Sequence, residues 1–305
     1  MRRTAIAALL VGGLLVTSCG DDDSTDTADT AETADSADTA DTGTAADDTA
    51  ADGASCAAGK LVTPDVLTIA TGEPAFEPWV VGDAPESGEG FEAAVAYAVA
   101  REMGFTADQV TWVRTTFDQA IQPGDKNFDF NLQQFSISPE REANASFSDP
   151  YYSSNQAIVA LDGSPAEGAA TVADLKDVKF GAQTGTTSLA FITDVIQPDA
   201  EPFVYDDNVG AKAALEANQI DAIVADLPTA LYISDVEIEA SSVVGQFPGD
   251  AGETTDDFGL LFEKDNPLVE CANAAIATLR DSGELEEITD QWLVTEGVAP
   301  VISVE

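Results

Sequence analysis

The stretch VKFGAQTGTTSLAFITDVIQPDAEPFVYDDNVGAKAALEANQIDAIVAD, residues 178–226, alternates between two hydrophobic patterns. Residues 178–182 and 220–225 are short apolar runs and read as strands, with a third strand at 203–205. Residues 188–196 and 209–218, lying between them, read as helices. Strands separated by helices favour parallel sheets covered on both faces. A similar series comes earlier. Residues 66–70 read as a strand. Residues 91–104 read as a helix with Phe91, Ala94, Val95, Ala98 and Val99 on one face and Gly104 as the stop. A strand at 110–113, a short helix at 117–121 before the Pro123-Gly124 turn, and a strand at 128–135 follow. Two such series predict an α/β chain of two similar lobes. Two more helices are expected at 268–280 and 285–293.

Charge and composition narrow the function. The chain has 56 acidic residues against 12 basic ones, a net charge of −44. That field repels nucleic acid and anionic headgroups, so neither is expected as a partner of the bare surface. It suits a salty exterior. There is no histidine, which excludes Ser-His and Cys-His nucleophilic sites and removes the commonest transition-metal ligand. No metal or cofactor is expected. An enzyme built on this chain would need carboxylates, Lys, Tyr or metal-bound oxygen.

The first residues read as an address. Arg2 and Arg3 precede an apolar run at 5–16 that is too short to span a bilayer comfortably. Val16-Thr17-Ser18-Cys19 then resembles a lipobox, so residues 1–18 are expected to be a lipoprotein signal peptide and Cys19 the lipidated residue. The alternative is an ordinary signal peptide with a chance cysteine. Residues 19–56 are expected to be a disordered acidic linker of Asp, Thr and Ala, which self-repels and buries nothing. The other two cysteines, Cys56 and Cys271, form an even pair in an exported chain. They read as a disulfide, against the alternative of two free thiols.

In open parallel sheets ligands bind beyond the carboxyl ends of the strands. After the strand at 128–135 comes Ser136-Ile137-Ser138-Pro139-Glu140-Arg141. Ser138 reads as an N-cap and Pro139 as the first helical residue. Arg141 in a first helical turn opposes the helix dipole, which makes sense beside a bound anion. The alternatives are a solvated Arg or a structural ion pair. After residues 178–182 comes Gln183-Thr184-Gly185-Thr186-Thr187-Ser188, a second turn with hydroxyls and free N–H groups, or merely a cap. After residues 220–225 comes Asp226, either a receptor for an ammonium group or an N-cap. Two anion-binding turns and a carboxylate together match an α-carboxylate and an α-amino group. Glu73, Phe76, Trp79 and Phe117 are candidates for a further carboxylate and aromatic walls, though such aromatics are more often core.

These residues carry a resemblance. From about residue 61 to residue 293 the chain resembles the extracellular solute-binding proteins of polar amino-acid ABC transporters. The likeness rests on Gly90-Phe91-Glu92, Phe128-Asp129-Phe130-Asn131, Ser136 to Arg141, Phe147-Ser148-Asp149-Pro150-Tyr151-Tyr152, Gly185-Thr186-Thr187-Ser188 and Ile220 to Asp226. It implies a two-lobed periplasmic-binding-protein fold with crossings near 154–159 and 253–258. Lobe 1 is expected at 61–155 plus 257–296, lobe 2 at 160–253. It implies a monomer, not an enzyme, that captures an amino acid by hinge closure and hands it to a transporter permease. Carried over by position, Arg141 grips the α-carboxylate with Ser136 and Thr187, and Asp226 takes the α-amino group. Gln134 supplies a further contact, Phe76 and Phe117 sandwich the ligand side chain, and Glu73 matches a position that is acidic in members binding cationic amino acids. Glu92 departs from the Gly-Phe-Asp usual in the family, and Ser188 replaces a longer residue. A dehydratase-like enzyme on the same fold and a sensory module feeding a receptor are the rival readings.

Overall fold

The computed structural model describes residues 56–249, 251, 256–293 and 299–305. The expected signal peptide 1–18, the lipidated Cys19 and the linker up to residue 55 lie outside the described residues, as does Glu253, where the second crossing is expected to begin.

The first lobe opens with β1 (Leu67–Gly72), α1 (Phe91–Glu102), β2 (Val110–Thr115), α2 (Phe117–Ile121), β3 (Phe130–Asn131), α3 (Pro139–Glu142) and β4 (Ala145–Phe147). The chain crosses on β5 (Tyr152–Ser154) into the second lobe. That lobe comprises β6 (Gln156–Leu161), β7 (Phe180–Gln183), α4 (Thr187–Phe191), β8 (Phe203–Tyr205), α5 (Asn208–Glu216), β9 (Ala222–Asp226), α6 (Leu227–Tyr232) and β10 (Ser241–Gln246). It returns on β11 (Asp256–Phe258) to add β12 (Leu261–Glu263), α7 (Val269–Ser282) and α8 (Glu284–Trp292) to the first lobe. The strands β5 and β11 pair antiparallel, so the two crossings run side by side.

The sheets are more mixed than the expected mostly parallel arrangement. The first has the order β2-β1-β3-β12-β4 and the second β10-β6-β9-β7-β8. In each, the strands built by strand–helix–strand units are parallel, β1 with β2 and β3, and β7 with β8 and β9. The strands that enter from the crossings, β12 and β6, run antiparallel to their neighbours. The strand expected at 128–135 shrinks to Phe130–Asn131. Asp129 turns its carboxylate onto the N–H groups of Thr68 (2.6 Å) and Val62 (2.8 Å). Gln134 adopts a left-handed φ of 50°, which ends extended structure. The helix expected at 188–196 is α-helical only to Phe191 and continues as a π-turn over Ile192–Ile196.

Each lobe has its own apolar core. Trp79, Phe91, Phe130 and Phe262 anchor the first. In the second, Phe180, Phe247 and Ile302 fill one sheet face, while Val159, Leu215 and Ile223 fill the other. Each such fully buried side chain contributes about 1.5–3 kcal/mol. Ile302 brings to the second lobe a stretch of chain not expected there. After Leu293, packed in the first core, residues 299–303 lie on the second lobe. There Gln246 N–H donates to Pro300 O, Ile302 N–H to Gln246 O (both 2.8 Å) and Ser303 N–H to Ala170 O (2.9 Å). Gly245 makes room, since a Cβ there would sit 2.6 Å from the Ile302 side chain. The Cα atoms of Cys56 and Cys271 are 5.9 Å apart, a separation that a disulfide spans.

Candidate functional site

The carboxyl ends of β1, β3, β7 and β9 converge on a cavity of about 170 Å³ between the lobes. A single water needs roughly 10–15 Å³, so this space suits a small solute and not a polymer. All eight candidate residues line it: Glu73, Phe76, Phe117, Gln134, Ser136, Arg141, Thr187 and Asp226.

Arg141 is held from behind. Ser138 Oγ accepts the Arg141 N–H at 3.3 Å, and Pro139 occupies the first helical turn, so a single-turn helix aims the side chain inward. The guanidinium donates to Ser136 O (2.7 Å) in its own lobe and to Gly185 O (3.0 Å) in the other. It lies 5.2 Å from the Phe117 ring centroid, and that ring stacks on Phe135 at 4.7 Å. Arg141 is 6 % exposed, which rules out a solvated surface side chain, and none of the described ion pairs includes it. Burial pulls its pKa down to about 10, opposed by the charges of Asp256 and Glu140. It stays cationic at neutral pH.

Asp226 is an N-cap and a cavity-lining residue at once. Its Oδ1 accepts the Thr229 N–H at 2.9 Å, capping α6, and it also lines the cavity. It is half-buried, and desolvation pushes its carboxyl up to about 6, against the pull of the Thr229 hydrogen bonds. Arg141 is the one basic side chain among the described residues lining the cavity, whereas Glu73, Asp206, Asp207 and Asp226 are acidic. Glu73 and Asp206 are exposed and mark its mouth.

Glu92 shows what the longer acid in Gly-Phe-Glu does. It is 1 % exposed and reaches the back of the cavity wall. One oxygen accepts the Gln134 N–H at 2.7 Å and the Tyr151 hydroxyl, while the other accepts Gln134 Nε2. This holds Gln134 in its left-handed conformation. Burial raises the Glu92 pKa to about 7; its hydrogen bonds oppose the rise and the nearby Asp226 charge adds to it.

Some residues of the site escape the sequence reading. Asp256 on β11 accepts Ser136 Oγ at 3.0 Å and Gln156 Nε2 at 2.6 Å, tying the first lobe to the second. Both Asp256 and Gln156 sit on the crossings, where hydrophobic periodicity carries no message. Asp206 and Asp207 follow the strand 203–205, and the strand-end rule that found Asp226 points to them too. The lobes also touch directly. Trp79 Nε1 donates to Thr229 Oγ1 (2.8 Å), Tyr232 OH to Glu77 Oε2 (2.7 Å), and Ser136 Oγ meets Thr187 Oγ1 (3.2 Å). The molecule is therefore in a closed form.

Two α/β lobes closed over a small polar cavity, with chain crossings beneath it, define a solute-binding protein of the hinged kind. The profile of the bacterial extracellular solute-binding proteins, family 3, matches residues 67–295, and the chain belongs to that family. The arginine-binding periplasmic protein of Mannheimia haemolytica is 28 % identical over 240 residues, covering 77 % of this chain and 94 % of that one. An ancestral arginine-binding protein solved with glutamine bound is 28 % identical, with a TM-score of 0.61, covering 75 % of this chain and 98 % of its own. An ancestral amino-acid-binding protein described as a precursor of cyclohexadienyl dehydratase is 26 % identical, with a TM-score of 0.60, covering 75 % and 96 %.

Proposed function

We propose that this chain captures a free amino acid with a polar or cationic side chain outside the cell and presents it, closed, to an ABC importer. The observation that carries this is the buried Arg141, braced by carbonyls of both lobes, in one cavity with Asp226. Arg141, with Ser136 and Thr187, takes the α-carboxylate in a charge-assisted fork. Asp226 takes the α-ammonium. Phe76, Phe117, Glu73 and Asp206 receive the side chain, and their charge favours a cationic one. Ligand contacts on both lobes exist together only in the closed form, so binding shifts the population towards it. Nothing covalent happens. The protein works as a monomer, anchored through a lipidated Cys19 and carrying a Cys56–Cys271 disulfide, with its first lobe at 61–155 plus 257–296 and its second at 160–253.

Calorimetry with the twenty amino acids tests the reading. At least one polar or cationic member is expected to bind, and Arg141→Ala is expected to abolish binding while the protein stays folded by circular dichroism. Undiminished affinity in Arg141→Ala would refute the assigned role. Conversion of the bound ligand, followed by mass spectrometry, would favour a dehydratase-like enzyme instead.

A further inference from the structure

Gln156 begins β6 at the first crossing, is 5 % exposed and lines the cavity. Its amide has a fixed orientation. Nε2 donates to Asp256 Oδ2 at 2.6 Å, and a carboxylate only accepts, so the nitrogen end is identified by its partner. The other end, Oε1, is buried and has no hydrogen-bond partner among the described residues. Buried polar atoms are rarely left unpaired without a reason, because their desolvation goes uncompensated. In the antiparallel pair of β6 and β9, Gln156 stands directly opposite Asp226. Directly opposed residues leave a sheet on the same face. Gln156 and Asp226 therefore leave one sheet face as neighbours, and both line the cavity.

We propose that Gln156 Oε1 and Asp226 together accept the hydrogen bonds of the ligand's α-ammonium group, with Asp256 holding the Gln156 amide in its accepting orientation. The assignment rests on the amino-acid reading above. An ammonium offers N–H donors and no acceptor, so it pairs with an amide oxygen and cannot pair with an amide nitrogen. Asp256 is a positioning residue. It also receives Ser136 Oγ, a group assigned to the carboxylate end of the ligand. One acid on the second crossing therefore links the ammonium end of the site to the carboxylate end, and both crossings carry parts of it.

The test compares L-arginine with 5-guanidinopentanoate, the same molecule without its α-amino group, by calorimetry at neutral pH. If the panel shows a different preferred amino acid, that ligand and its deamino counterpart replace them. Wild type is expected to prefer the amino acid. Gln156→Met, checked for folding by thermal melt, is expected to narrow that preference about ten- to a hundredfold, the range of one hydrogen bond to a charged group. The narrowing comes from weaker amino-acid binding, while the deamino compound is unaffected. An unchanged preference in the folded variant overturns the proposal. Should Gln156→Met not fold, Gln156→Asn withdraws the oxygen by one methylene; a narrowed preference then supports the assignment and an unchanged one overturns it. Asp256→Ala is expected to narrow the preference too, since the freed amide can present its nitrogen; an unchanged ratio overturns the positioning role. If wild type binds none of the twenty amino acids, the amino-acid reading falls, and this assignment with it.

Discussion

At the scale of single residues, the site is governed by acids whose protons are held by burial. Asp226 must be ionised to receive an ammonium group, and its pKa stands near 6, with Glu92, Asp256 and Tyr152 around it. Apparent affinity scales with the fraction in the competent state. Amino-acid affinity is therefore expected to be about tenfold weaker at pH 5 than at pH 7, measured by calorimetry in buffers of matched ionic strength. Glu92 makes the opposite demand on the fold. Its folded pKa is about 7 against an ordinary 4.5, so over that interval the folded state keeps a proton that the unfolded state has released. Stability then falls as pH rises from 4.5 to 7, by at most ~3 kcal/mol. Glu92→Gln is expected to flatten this slope in urea unfolding series across that range. Arg141 and Asp226 are legible in the sequence because each follows a strand and breaks a local habit. Arg141 sits against a helix dipole, and Asp226 closes an apolar run. Glu92 is legible only as a departure from a pattern, since its partners Gln134 and Tyr151 are more than 40 residues away.

At the scale of elements, chain patterning predicts most helices and strands but not how they pair. The strand–helix–strand units of the sequence become the parallel halves of both sheets. The antiparallel halves come from β6 and β12, whose direction depends on where the chain re-enters a lobe, and no local pattern encodes that. β3 is short because Asp129 serves backbone groups of the neighbouring segment, a long-range bond invisible in its own apolar run. The tail at 299–303 is equally hidden, since five residues with one buried Ile give no periodic signal. Ile302 is fully buried in the second core. Ile302→Ala is expected to destabilise the second lobe by about 2–5 kcal/mol, seen as a lower urea midpoint.

At the scale of the whole molecule, closure is supported by bonds that involve no ligand. Trp79 to Thr229 is buried, and Tyr232 to Glu77 spans the same gap. A net hydrogen bond is worth about 1 kcal/mol, so Tyr232→Phe is expected to weaken ligand binding about fivefold without altering which ligand is preferred. Small-angle scattering of the ligand-free variant should show a larger radius of gyration than wild type.

The way residues 299–303 settle on the second lobe has a practical use. Residues 56–61 pack with the first lobe, so the two outer stretches of the described chain ride on opposite jaws. A donor dye near Gly59 and an acceptor dye near Glu305 would report the opening angle directly as energy transfer, one molecule at a time. The emission ratio would then serve as a readout of solute concentration.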